Sequence, residues 1–108
     1  MEVATIRKKF LDEVDAGYIR MRVRLQNGDL LEISEYVSST TGHLLRAGYS
    51  YHWQEQAGKL IQRWDNAPHH PHAKTYPHHT HLNAESNILA SREMTVDEVL
   101  NEIEAILK

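Results

Sequence analysis

Cysteine is absent from the chain, and with it any disulfide or thiolate metal site. That absence fits a cytoplasmic location. No run of about 18 apolar residues occurs, so no membrane-spanning helix is expected. Arg7, Lys8 and Lys9 lack the apolar stretch that a secretory signal places behind its basic residues, so none is expected here. Positive charge is not in excess either: the net charge is −3 with histidines neutral. That balance argues against strong non-specific nucleic-acid binding at neutral pH. A local basic patch is still open, and would grow as histidines protonate below about pH 6.5. Only three prolines occur, at positions 68, 71 and 77, all inside the stretch 66–87 that reads as a loop. At 108 residues the chain reads as a single domain spanning 1–108, able to bury roughly two-thirds of its unfolded surface around one core.

What the chain has in quantity is histidine. Six of the eight lie between His69 and His81, and the pattern Pro-His-His-x-His occurs twice, at 68–72 and 77–81. Imidazole is costly to bury unpaired and a poor helix former. It is well suited to proton transfer near neutral pH and to binding zinc-like ions. Residues two apart in an extended chain point the same way, so His70 with His72 and His79 with His81 make two natural ligand pairs. Asp65 would complete a nitrogen–oxygen set for zinc or another divalent transition metal.

Hydrophobic periodicity sets the expected fold class: α+β, a four- to five-stranded antiparallel meander with an N-terminal helix and a C-terminal helix packed on one face. Val3, Ile6, Phe10 and Val14 recur at three- and four-residue steps, predicting a helix over residues 1–15. Ile19, Met21, Val23 and Leu25 alternate with Arg20, Arg22, Arg24 and Gln26, the mark of a half-buried strand. Asn27-Gly28 turns the chain into a return strand, Leu30 to Val37. Only a three-residue loop there keeps apolar opposite apolar, pairing Val23 with Leu31, Met21 with Ile33 and Arg22 with Glu32. Gly28 should then take the left-handed conformation of a bulged turn.

A polar loop is expected over 38–43 and a third strand over 46–54, with Tyr49, Tyr51 and Trp53 on one face. A turn at 56–59 leads to a fourth strand over 60–65. With a four-residue turn, Leu60 and Trp64 join the aromatic face, and Arg63 and Asp65 lie beside His52 and Ser50. With a three-residue turn Arg63 and Asp65 change sides; the first is preferred because it buries both tryptophans together. Residues 66–87 lack periodicity and read as a long histidine-rich loop, with Ile88 and Leu89 as a short edge strand or anchor. Thr95 with Glu98 forms a capping box for a helix over 95–108, whose stripe includes Val99, Leu100, Ile103 and Leu107. One helix leaves part of the sheet uncovered, with room for a homodimer.

Several of these segments, in order, carry a resemblance. They are the arginine-rich strand with its Asn-Gly turn, Tyr49-Ser50-Tyr51-His52, and Gly58-x-Leu60-Ile61 running into Arg63-Trp64-Asp65-Asn66. Ala67-Pro68-His69-His70, Thr75-x-Pro77-His78-His79-x-His81 and the C-terminal helix follow. Over residues 18–108 the chain resembles the TumE-type family of proposed toxins of bacterial and archaeal toxin–antitoxin modules. The resemblance implies a small cytoplasmic protein inhibited by a co-encoded, DNA-binding antitoxin. Arg63, Asp65, Asn66, His79 and His81 are the positions it carries over.

Three chemistries are open to these residues. As an RNA-cleaving enzyme, the chain would draw general acid and base from His52, His70, His79 and His81. Asp65 would orient a ring, Arg63 would meet the phosphorane, and Arg20, Arg22 and Arg24 would line up nucleic acid. As a metal protein it would use His70, His72, His79 and His81. As a binding module the loop would be a surface that an antitoxin covers, with no catalysis.

Overall fold

The computed structural model describes residues 2–11, 16–40 and 43–107. Its elements in chain order are β1 (Glu2–Leu11), β2 (Ala16–Arg24), β3 (Leu30–Thr40), β4 (His43–Gln54), β5 (Leu60–Asp65), β6 (His79–Leu82), β7 (Ile88–Ala90) and α1 (Val96–Leu107). All seven strands form one open sheet in the order β1 to β7, and every neighbouring pair is antiparallel. The α+β class and the C-terminal helix are as expected; the N-terminal helix is not. Glu2–Leu11 pairs with β2 from Glu2↔Arg24 to Leu11↔Ala16, while residues 12–15 of the expected helix lie outside the described residues. Without β1, the outer edge of β2 would leave its ladder groups unpaired. Val3, Thr5 and Ile6 are β-branched and suit that ladder better than a short helix.

The first hairpin follows the expected register, with Met21↔Ile33, Arg22↔Glu32 and Val23↔Leu31. Leu25 N–H donates to Asp29 O at 2.8 Å, leaving a three-residue loop, and Gly28 sits at φ 95°. The second hairpin uses the same device: Glu55 N–H donates to Lys59 O at 2.8 Å, and Gly58 has φ 100°. The expected four-residue turn is therefore replaced by a three-residue one, yet Tyr51↔Trp64, His52↔Arg63 and Ser50↔Asp65 still pair. The ladder slips by one between Trp53↔Gln62 and Gln54↔Leu60. Ile61 is the extra residue, and this bulge restores the face that the shorter turn would have reversed.

The expected loop over 38–43 is narrower, because β3 runs to Thr40 and β4 starts at His43. Within the expected 66–87 loop, His79–Leu82 is strand β6 and pairs with β5. The irregular histidine segment is therefore 66–78, and Ile88–Ala90 is the edge strand that closes the sheet.

The core lies between one sheet face and α1. It joins Val23, Leu25, Leu31, Ile33, Tyr49, Tyr51, Trp53 and Trp64 to Met94, Val99 and Ile103, with Met21, Ile61, Val96 and Leu100 at its margin. Of the residues expected there, Ile19 and Leu60 stay half-buried outside the cluster and Leu107 is exposed; Ile61 takes the place of Leu60. The capping box forms, Thr95 N–H donating to Glu98 Oε1 at 3.1 Å and Glu98 N–H to Thr95 Oγ1 at 3.3 Å.

A second bulge, between Tyr36 and Val37, leaves Ala47 unpaired and turns Arg46 to the aromatic side. There its guanidinium lies 4.3 Å from the Tyr49 ring centroid and donates to the Tyr51 hydroxyl and the Met94 carbonyl. Tyr51 in turn donates to Glu35, and burial with this carboxylate partner pushes the phenol well above its ordinary pKa. Arg46 thus fastens the segment before α1 to the sheet.

Truncating Ile103 to alanine should lower stability by about 2–5 kcal/mol, whereas Ile106→Ala, on the exposed side, should stay within about 0.5 kcal/mol. Urea melts of the two variants compare them directly.

Candidate functional site

Side chains alternate across a strand, so the residues between the core positions stand on the sheet face opposite α1. Cross-strand pairing sets them in two rows running from β2 to β6. One is Arg22, Glu32, His52, Arg63 and His81; the next is Arg20, Ser34, Ser50, Asp65 and His79. Segment 66–78 folds over the β5–β6 end of this face. Together they enclose a cavity of about 570 Å³, bounded by Glu32, Ser34, Tyr36, His52, Arg63, Asp65, His79 and His81 from the sheet and by Ala67–His70 from the loop.

Asp65 is the anchor. Its carboxylate is 5% exposed, and each oxygen has a donor from its own strand or the loop start: Arg63 Nε–H to Oδ2 and Ala67 N–H to Oδ1, both at 3.0 Å. His79 Nε2 lies 2.9 Å from Oδ1 and His81 Nε2 3.5 Å from Oδ2. Arg63 also grips Glu85 with both terminal nitrogens, at 2.7 Å each, so its charge is divided between two carboxylates.

The tautomers of the two buried histidines follow from their other nitrogens. His79 Nδ1 is 2.9 Å from Pro77 O, and His81 Nδ1 is 2.7 Å from Glu85 O. A carbonyl oxygen can only accept, so each Nδ1 carries a proton and donates it. The Nε2 atoms are then the working nitrogens, and both face Asp65. His70 joins them from the loop, its ring 4.9 Å from that of His79 and 5.5 Å from that of His81, edge-on to each. The ligand atoms of His70, His79 and His81 lie within 4.8 Å of one another. Partial burial of the His70 imidazole, and then the neighbouring His79 and His81, pushes its pKa below the ordinary histidine value.

The remaining expected residues are placed as follows. His52 is half-buried in the cavity wall between Glu32 and Arg63. His72 is exposed and stands outside the cluster. Arg22 pairs with Glu32 at 3.4 Å, Arg24 donates to Gly28 O at 3.4 Å, and Arg20 rests 5.3 Å from the Tyr18 ring centroid; all three are exposed on the cavity face. Asn66 is tied to β4, its Oδ1 accepting from Tyr49 N–H at 2.9 Å. His78 leaves the cluster and packs on Tyr49, whose hydroxyl is 2.8 Å from its Nδ1.

Glu85 went unforeseen. It holds Arg63 through its side chain and His81 through its carbonyl, and the signal for it was its place four residues after His81, in the turn after β6.

The family profile described as Toxin TumE matches residues 1–107 of the chain. Comparison with curated proteins and with solved structures returned no match.

Removing one partner from a buried ionic group leaves the others uncompensated, so Asp65→Ala should cost about 3–5 kcal/mol of stability. Glu85→Ala, at an exposed carboxylate, should cost no more than about 1 kcal/mol. Chemical denaturation of both variants measures the difference.

Proposed function

The chain belongs to the TumE family, toxins of toxin–antitoxin modules, and we propose that it acts by cutting RNA at the histidine-lined cavity. The observation that carries this reading is the convergence of three imidazoles, their ligand nitrogens within 4.8 Å of one another, beside a buried carboxylate in an open cavity. Cleavage of an RNA phosphodiester requires a group to activate the attacking oxygen, one to stabilise the leaving oxygen, and positive charge near the phosphorane. The ring nitrogens of His70, His79 and His81 supply the first two, whether they carry protons or a cation. His52, on β4 with β5 between it and the β6 histidines, is within the same cavity and completes its wall.

Arg63 does not serve as the phosphate ligand, since Asp65 and Glu85 occupy it; its role is to hold Asp65 in place. Phosphate recognition falls to Arg20, Arg22 and Arg24, which continue the same face outward through β2. Contacts of this kind position a strand without reading its sequence. A cavity of about 570 Å³ is in the size range of small-ligand sites and takes a nucleotide unit. The antitoxin, in this reading a DNA-binding protein encoded beside the toxin, silences it by covering this face.

Purified protein should cut a labelled single-stranded RNA, and His79→Ala or Asp65→Asn should slow the cut by roughly 100-fold or more. Replacing Arg20 and Arg22 with alanine should weaken RNA binding and flatten its salt dependence, by about 0.7 in log–log slope for each lost phosphate contact. Growth arrest on induction with cellular RNA left intact would defeat the assignment.

A further inference from the structure

Proton transfer alone leaves one feature of the cluster without a purpose. Among the described residues, His81 Nε2 is buried and has no hydrogen-bond partner. Its Nδ1 already donates to Glu85 O, so in the neutral ring Nε2 presents a lone pair to an interior with no donor for it. His79 has the same construction, with Nδ1 donating to Pro77 O and Nε2 held 2.9 Å from Asp65 Oδ1. Two acceptor atoms at that distance need a proton or a cation between them. Protonating both rings would set two imidazoliums with centroids 4.8 Å apart against one carboxylate that Arg63 already pairs. A single cation serves both nitrogens at once.

We propose that His70, His79 and His81 bind one divalent transition metal ion of the zinc class through their free ring nitrogens, with Asp65 as the oxygen ligand. Metal-binding histidines characteristically donate their second ring N–H to a carbonyl or carboxylate, and the bonds to Pro77 O and Glu85 O are of that kind. Bonds of 2.0–2.1 Å in a tetrahedral site put ligand atoms about 3.4 Å apart. The Asp65 oxygens lie 2.9 and 3.5 Å from the two Nε2 atoms, on either side of that spacing. His70 comes from the irregular segment and can swing inward to close the set. The ion would then latch segment 66–78 to β6. The site itself stands on this geometry; only its use in catalysis, as a Lewis acid at the phosphate, rests on the RNA-cleaving assignment.

The test uses untagged full-length protein dialysed against zinc, with bound metal counted by mass spectrometry and affinity measured against a chromophoric chelator. One zinc per chain is expected, with a rise in melting temperature. His70→Ala, a change in the loop and not in the sheet, should weaken affinity tenfold or more and abolish the rise; Asp65→Asn should also weaken it. His72→Ala should bind like the wild type. A dialysed protein that retains no zinc overturns the site. So does equal weakening by His72→Ala and His70→Ala, which is the signature of adventitious histidine binding. No RNA enters the measurement, so the two assignments fail separately: zinc held by a protein that cuts nothing removes the nuclease, and cutting by a protein that retains no zinc removes the metal.

Discussion

The burial of the Asp65 carboxylate is the constraint around which the polar half of this protein is arranged. A carboxylate taken out of water costs several kcal/mol unless its oxygens are met by donors. Here the donors are Arg63, two residues back on β5, and Ala67 N–H, where the chain leaves that strand, while the histidines of β6 turn their Nε2 atoms toward the same oxygens. Each requirement has a structural result. Arg63 must lie on the same face, so β5 keeps its alternation to the end. Ala67 must turn back, so the loop begins folded over the sheet. β6 must add to β5 in the register that places His79 beside Asp65.

The other half of the molecule keeps that arrangement rigid by a different chemistry. Trp53 and Trp64 are almost wholly buried under Val99 and Ile103, and fully burying a side chain of the Val, Leu or Ile class contributes roughly 1.5–3 kcal/mol. Tyr49 connects the two halves. Its ring stacks on Tyr51 in the core, while its hydroxyl meets His78 in the loop and accepts from Met94 N–H ahead of the helix. The sheet therefore separates a mainly apolar, helix-covered side from an open side that carries the histidine–carboxylate cluster, and a few residues at the β4–β5 end bind the two together.

Much of this was legible in the residues, and the parts that were not have physical causes. The strict alternation of Ile19 to Gln26 set the first hairpin's register, because a one-residue slip would have put arginines in the core. The same argument placed Arg63 and Asp65 with His52 and Ser50, although the chain reaches that pairing by a bulge and not by a longer turn. Glu2–Leu11 misled because a three-and-four spacing of Val3, Ile6 and Phe10 can occur in a strand whose partner, β2, decides the outcome. The inward turn of Arg46 is not legible in the residues, because alternation counted back from Tyr49 takes no account of a bulge at Ala47. In the site, His79 and His81 were placed by their spacing in an extended segment. His72 has the same spacing from His70 but lies in a stretch that forms no strand, so nothing makes the two rings point together.

The single extra residue in β5 has a wider meaning for how such a chain can change. Most loops of a small sheet tolerate gains and losses of a residue, since the strands on either side keep their pairing. Between Gly58 and Arg63 that tolerance reaches into the strand itself. Ile61 is the residue the ladder passes over, so its loss would join Leu60 directly to Gln62 and leave Trp53↔Gln62, His52↔Arg63 and Tyr51↔Trp64 in place. The hairpin would lose its bulge and one side chain at the margin of the core, while the guanidinium and the carboxylate kept their face. A second loss in the same stretch would find no spare residue, and would turn Arg63 and Asp65 under the helix and Trp64 out into water.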